Sequence, residues 1–159
     1  MVSPSEWGPN AWELLHGIAE RVGNHSNHIM IRDERNELKL TLRHFWALLP
    51  CLKCQKHYKE WIQKHNPDSW IQGPFGIDLQ DSMREWVYKL HENVNNSRGV
   101  VSGLILEQIK EKYSVPVTLR EKANHLRSFY QRGLDTRTLK PEDWKTAWKH
   151  LDLLLRVIS

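Results

Sequence analysis

Apolar residues recur at intervals of three and four along nearly the whole chain, and no window alternates at period two. That spacing puts one face of successive helices against a core and leaves no strand signal. The first stripe is Trp12, Leu15, Ala19 and Val22, stopped by Gly23-Asn24. A polar loop rich in His and Asn follows, and then a second stripe of Leu38, Leu42, Phe45, Trp46 and Leu49. Pro50 breaks that helix and suits the first turn of the next, where a missing N–H costs nothing. The third stripe is Cys51, Cys54, Tyr58, Trp61 and Ile62, ended by Asn66-Pro67. After a Gly/Pro loop at 73–76 comes the fourth, with Leu79, Met83, Trp86, Leu90, His91 and Val94.

A second set of helices begins beyond Gly99. Leu106, Ile109 and Tyr113 predict a short helix before Pro116. Thr118 with Glu121 reads as a capping box ahead of Leu119, Ala123, Leu126 and Tyr130. Pro141 opens a last helix striped by Trp144, Trp148, Leu151, Leu155 and Ile158. The expected fold is all-α, with four helices and a helical extension, divided as residues 1–100 and 101–159. The last stripe is too apolar to stay solvated, so the extension is expected to pack onto the bundle or across a dimer, with its basic face outward.

The chain has 159 residues, 40% hydrophobic and 26% charged, which is ordinary globular material. No stretch approaches the roughly 18 consecutive apolar residues of a membrane span. The start, from Met1 to Trp7, lacks the basic and apolar runs of a secretory signal, so a cytoplasmic location is expected. Charge is uneven: residues 1–100 hold 12 Lys and Arg against 12 Asp and Glu, and residues 101–159 hold 11 against 7. The whole net charge of +4 therefore lies in the last third. No run of five basic residues occurs, so a solvated helix face is favoured over nucleic-acid binding.

Both cysteines lie in one motif, Cys51-Leu52-Lys53-Cys54. One pair cannot build a disulfide framework. A thioredoxin fold is excluded too, because its CxxC needs a βαβ context. At i and i+3 the two sulfurs share a helix face, in a first turn where free N–H groups and the helix dipole favour an anion. Lys53 adds a cation, and all three influences are expected to lower the thiol pKa values and activate a redox dithiol. His57 extends the motif to Cys-x2-Cys-x2-His, which keeps a zinc-binding or purely structural interaction module open, with His44, His65 or His91 as the missing donor. Trp12 and His16, Trp86 and His91, and His57 with Tyr58 bring flat rings and ring nitrogens from three helices beside the dithiol. Such a set suits a planar heteroaromatic cofactor held between helices.

Three blocks in order carry a family resemblance: Gly8-x3-Trp12-x3-His16, Leu49-Pro50-Cys51-x2-Cys54-x2-His57, and Trp86-x4-His91-x2-Val94-Asn95. Together they resemble the FAD-linked sulfhydryl oxidases of the Erv/ALR type, with viral members nearest in style, over about residues 5–100. The resemblance implies a four-helix bundle with a short fifth helix, FAD at its mouth, a homodimer, and oxidation of protein thiols by oxygen to give hydrogen peroxide. It implies Cys54 as the flavin-proximal sulfur and Cys51 as the sulfur that exchanges with a protein thiol substrate, thioredoxin-like or viral. Gly8, Trp12 and His16 would border the flavin or its phosphates, and His57, Trp86, His91 and Asn95 would cradle the adenine and ribose. No metal and no membrane are implied. The chain departs from the family pattern at His91-Glu92, where an amide is usual, at Arg98-Gly99-Val100, which lacks a Lys, and at Pro9. With no third cysteine, neither a shuttle dithiol nor a disulfide fastening the fifth helix is possible, so that helix must be held by packing.

Overall fold

The computed structural model describes residues 2–73, 77–114 and 118–158. Among them the regular structure is helical throughout. The long elements are α1 (Pro4–Ala19), α2 (His28–His44), α3 (Leu52–Lys64) and α5 (Ile77–Ser97), with a single-turn α4 (Asp68–Ile71) and a 3-10 turn (Phe45–Leu48) between them. The short α6 (Leu106–Tyr113) is followed by α7 (Leu119–Arg127), α8 (Tyr130–Asp135) and α9 (Pro141–Ile158). The expected all-α class is therefore the observed one. Most of the Gly/Pro loop at 73–76 and Pro116 lie outside the described residues.

Several boundaries differ from the periodicity, each for a local reason. Helix α1 starts at Pro4 because Ser3 caps it and Glu6 accepts the Ser3 N–H at 2.9 Å. The expected His/Asn-rich loop is shorter, because Asn27 Oδ1 accepts the N–H groups of Ile29 and Met30 and starts α2 at His28. That first turn leaves Ile29 exposed, so no apolar stripe announces it. Pro50 does not open α3. It precedes Cys51, which is itself the extended N-cap residue. Thr118 caps α7 without the expected side-chain bond. The expected continuous stripe through Tyr130 breaks at Ser128, whose hydroxyl donates to the His125 carbonyl.

One hydrophobic core joins the bundle to the extension. The most extensive helix pairing is α2 with α9, and the next is α1 with α7. Leu38 and Leu42 of α2 and Leu151, Leu154 and Leu155 of α9 are fully or almost fully buried. Polar ties rim these faces: Glu37 with His150 at 2.9 Å, Glu13 with Lys122 at 2.7 Å, and the His25 ring with the Val157 carbonyl at 2.6 Å. The short α6 rests mainly on α5 and α1, with Ile109 buried and the Leu104 carbonyl accepting from Tyr88 at 2.9 Å. Among the described residues no helix is long and apolar enough to cross a membrane.

Candidate functional site: a cysteine pair in an aromatic cleft

At the end of the bundle where α1, α3 and α5 converge, the packing leaves a cleft of about 260 Å³. That lies just below the roughly 300–1,000 Å³ usual for small-molecule sites. Trp7, Gly8 and Trp12 come from α1, Cys54, His57 and Tyr58 from α3, and Leu90, Val94 and Arg98 from α5 and its end. Cys51 and Lys53 complete the rim. Gly8 faces open space, since a Cβ there would meet nothing within 4 Å.

The N-cap geometry of Cys51 (φ −157°, ψ 112°) turns its sulfur back over the first turn, where Sγ accepts the Cys54 N–H at 3.2 Å. Both thiols are free, with Cys51 buried at 3% exposure and Cys54 partly exposed. This exposure order is the reverse of what the resemblance implies for a sulfur that meets substrate. The expected lowering of the thiol pKa also fails at Cys54, which is pushed up to about 12. Burial is the main cause, the neighbouring Cys51 thiol adds to it, and the Arg98 charge pulls the other way. Loss of hydration at Cys54 outweighs the helix terminus.

The remaining candidates separate into those the fold gathers at the cleft and those it does not. Gly8, Trp12 and His57 line it, and the His57 Nε2 sits 2.5 Å from Asn93 Oδ1. His91 lies against Trp12, the rings stacked at 3.9 Å and 7°. Its Nδ1 is 2.9 Å from Nε2 of His16, which is wholly buried. Asn95 is buried, and its carbonyl accepts the N–H groups of Arg98 and Val100, shaping the turn that carries Arg98 to the rim. Trp86 is elsewhere. It packs edge-on behind Tyr58 and lines a separate shallow groove with Trp61 and Trp70, its Nε1 donating to the His65 carbonyl at 2.7 Å. Periodicity alone could not tell the two sides of Tyr58 apart.

Burial holds His16 and His91 neutral, His16 pushed down to about 3 and His91 to about 4. His16 Nδ1 is buried without a hydrogen-bond partner. Tyr113 of α6 stacks on His16 at 4.1 Å and 6°, a contact the sequence reading missed. Its signal was an aromatic at the end of the short helix, read there only as a packing position.

These features fit a flat, uncharged ring system. The cleft walls are aromatic and aliphatic, Gly8 leaves room where a side chain would intrude, and the neutral His91 ring backs Trp12. Arg98 and Lys53 are the cations in the cleft lining. A metal is less well served, because among the described residues no three His, Cys, Asp or Glu side chains are grouped to ligate one.

The fission-yeast (Schizosaccharomyces pombe) protein described as mitochondrial FAD-linked sulfhydryl oxidase erv1 is 23% identical over 95 residues. The alignment covers 60% of this chain and 47% of that protein, so the chain spans about half the length of the curated relative it matches. No solved structure matches the chain. Residues 9–114, which contain the cysteine pair, the Trp12–His91 stack and α6, match the Erv1/Alr family, and the chain belongs to that family.

Proposed function

We propose that the chain is an FAD-linked thiol oxidase whose redox centre is the Cys51–Cys54 pair. The observation that carries this reading is that both free cysteines line a cleft walled by aromatic and aliphatic side chains. The family match and the printed function of the fission-yeast relative support it. Trp12, His57, Tyr58 and Val94 would hold the flavin ring, His91, His16 and Tyr113 would lie toward its nucleotide end, and Arg98 with Lys53 would meet the phosphates. When bound, the flavin would supply a two-electron acceptor that passes its electrons to oxygen, which is reduced to hydrogen peroxide.

The exchange belongs to this chain's own residues. On the roles the resemblance implies, a substrate thiolate attacks Cys51 of the Cys51–Cys54 disulfide, a sulfur that must first become more accessible than it is here. An S–S bond forms to substrate as the intramolecular one breaks and Cys54 leaves as thiolate. A second substrate thiolate displaces Cys51 and releases the substrate disulfide. Arg98 favours the charged form of Cys54 against the burial that opposes it. Two thiols and one oxygen molecule thus become one disulfide and one hydrogen peroxide, the electron pair and both protons ending on oxygen. Oxygen consumption with dithiothreitol, matched by peroxide, is the expected result for the flavin-loaded protein. No consumption by a folded, flavin-loaded sample would overturn the reading.

A further inference from the structure

We propose that the groove on the other side of α3 from the cleft docks an acidic segment flanking the substrate's thiols. This rests on the oxidase reading and adds how a protein substrate is recognised. The groove, of about 400 Å³, runs between α3 and the turn joining α8 to α9. Lys56 and Lys59 line one side and Arg137 and Lys140 the other, against only Glu60 and Asp143. Glu60 lies 4.0 Å from Lys56, while Arg137 and Lys140 make no ion pair among the described residues. At one end is Leu52, 61% exposed and next in the chain to Cys51. Gln55 ties the groove to the redox pair, its amide donating to the Leu49 and Thr138 carbonyls, both at 2.7 Å. The extension's turn is thereby anchored to the residues leading into Cys51.

A second observation concerns Arg137, the one non-glycine residue with positive φ (60°) among the described residues. It occupies the position just past the end of α8. There the Thr138 N–H reaches the Gly133 carbonyl at 2.9 Å and the Arg137 N–H reaches Leu134 at 3.1 Å. Glycine is the residue this helix ending favours, because a Cβ strains the left-handed backbone. A strained arginine kept at the mouth of a basic groove points to a use for its side chain. The occupant that fits is a peptide with carboxylates beside its cysteines. The groove's cations meet the carboxylates, and Leu52 and the Trp46 ring, which carries Lys59 at 3.7 Å, offer apolar contact as well.

The test uses the flavin-loaded full chain and three reductants: dithiothreitol, a dithiol peptide with glutamate flanks, and the same peptide with lysine flanks. The acidic peptide should show a KM about tenfold or more below that of the basic one, the gap closing as salt is raised. Arg137→Gly and Lys140→Glu should each raise KM for the acidic peptide with kcat and dithiothreitol turnover unchanged, and Arg137→Gly should also raise Tm. A fluorescent acidic peptide with serine for cysteine should bind the parent chain and bind Arg137→Gly more weakly, independently of turnover. Dithiothreitol turnover with equal KM for both peptides would overturn the inference and leave the oxidase reading standing. So would tighter binding of an oligonucleotide, or self-association that blocks the peptide. No turnover of dithiothreitol would overturn the oxidase reading and this inference with it.

Discussion

A Cβ built on Gly17 would come within 2.4 Å of Leu119 Cδ2, whereas one built on Gly8 would meet nothing within 4 Å. The two glycines stand on the same helix, α1, and mark its two different surroundings. Around Gly17 the extension closes in, with α7 packed along α1 and Lys122 reaching Glu13. Around Gly8 the helix ends converge without filling the space, and rings and sulfurs join the aliphatic side chains in the walls. Well-packed interiors leave few voids larger than a water molecule. The aromatic cleft left open beside a dithiol is therefore the candidate site, and the close approach at Gly17 is architecture.

The largest effect expected from this contrast is at the sulfurs. Cys51→Ser and Cys54→Ser should each reduce thiol oxidation to background while leaving Tm nearly unchanged, since each swap removes little volume. A long-wavelength absorbance band retained in Cys51→Ser and lost in Cys54→Ser would place Cys54 beside the flavin. The opposite pattern would exchange the two roles. Trp86 tests the boundary of the site. Its placement behind Tyr58 predicts that Trp86→Ala costs about 3–5 kcal/mol of stability and leaves flavin stoichiometry in the folded fraction unchanged. Release of flavin by a stable Trp86→Ala protein would move the cleft's edge past Tyr58.

The glycines provide the next pair. Gly17→Val should destabilise by about 1–3 kcal/mol through overpacking against Leu119, with the flavin retained at low temperature. Gly8→Phe should keep Tm within the effect of helix propensity and lose the flavin. If thermal melts and flavin content give the same pattern for both variants, the contrast is wrong.

The smallest effect is with pH. His16 and His91 are held neutral in the fold, so the unfolded chain takes up protons first as pH falls below the ordinary histidine value. Their contribution is fully present above that value and is lost on acidification toward about 4 for His91 and about 3 for His16. One unit below the ordinary value the loss should be about 1.4 kcal/mol for each histidine, read as a falling Tm whose slope His91→Gln about halves.

The stripes made most of this legible in advance. Leu38, Leu42, Leu151 and Leu155 sit where three-and-four spacing puts them, because a buried helix face repeats that period. The start of α2 was not legible, since its cap is a polar side-chain bond at Asn27 and its first turn is largely solvated. That Cys51, Cys54, Trp12 and His57 come together at one cleft was legible from residue type and spacing. The position of Trp86 was not, because residues on one helix can share a stripe and face different grooves. The thiol chemistry at Cys54 was misjudged for a related reason. Sequence shows the helix terminus that lowers a pKa, but only packing shows the burial that raises it.

The central claim is that the cleft holds a flavin which the cysteine pair reduces. An absorption spectrum of the purified chain, taken anaerobically as dithiothreitol is added and again after air is admitted, tests it most directly. The predicted result is a yellow protein whose flavin bands bleach with the dithiol and return with oxygen, and no bleaching in Cys51→Ser or Cys54→Ser. A folded, colourless protein that takes up no FAD, or a flavin that bleaches equally well without either cysteine, would contradict it.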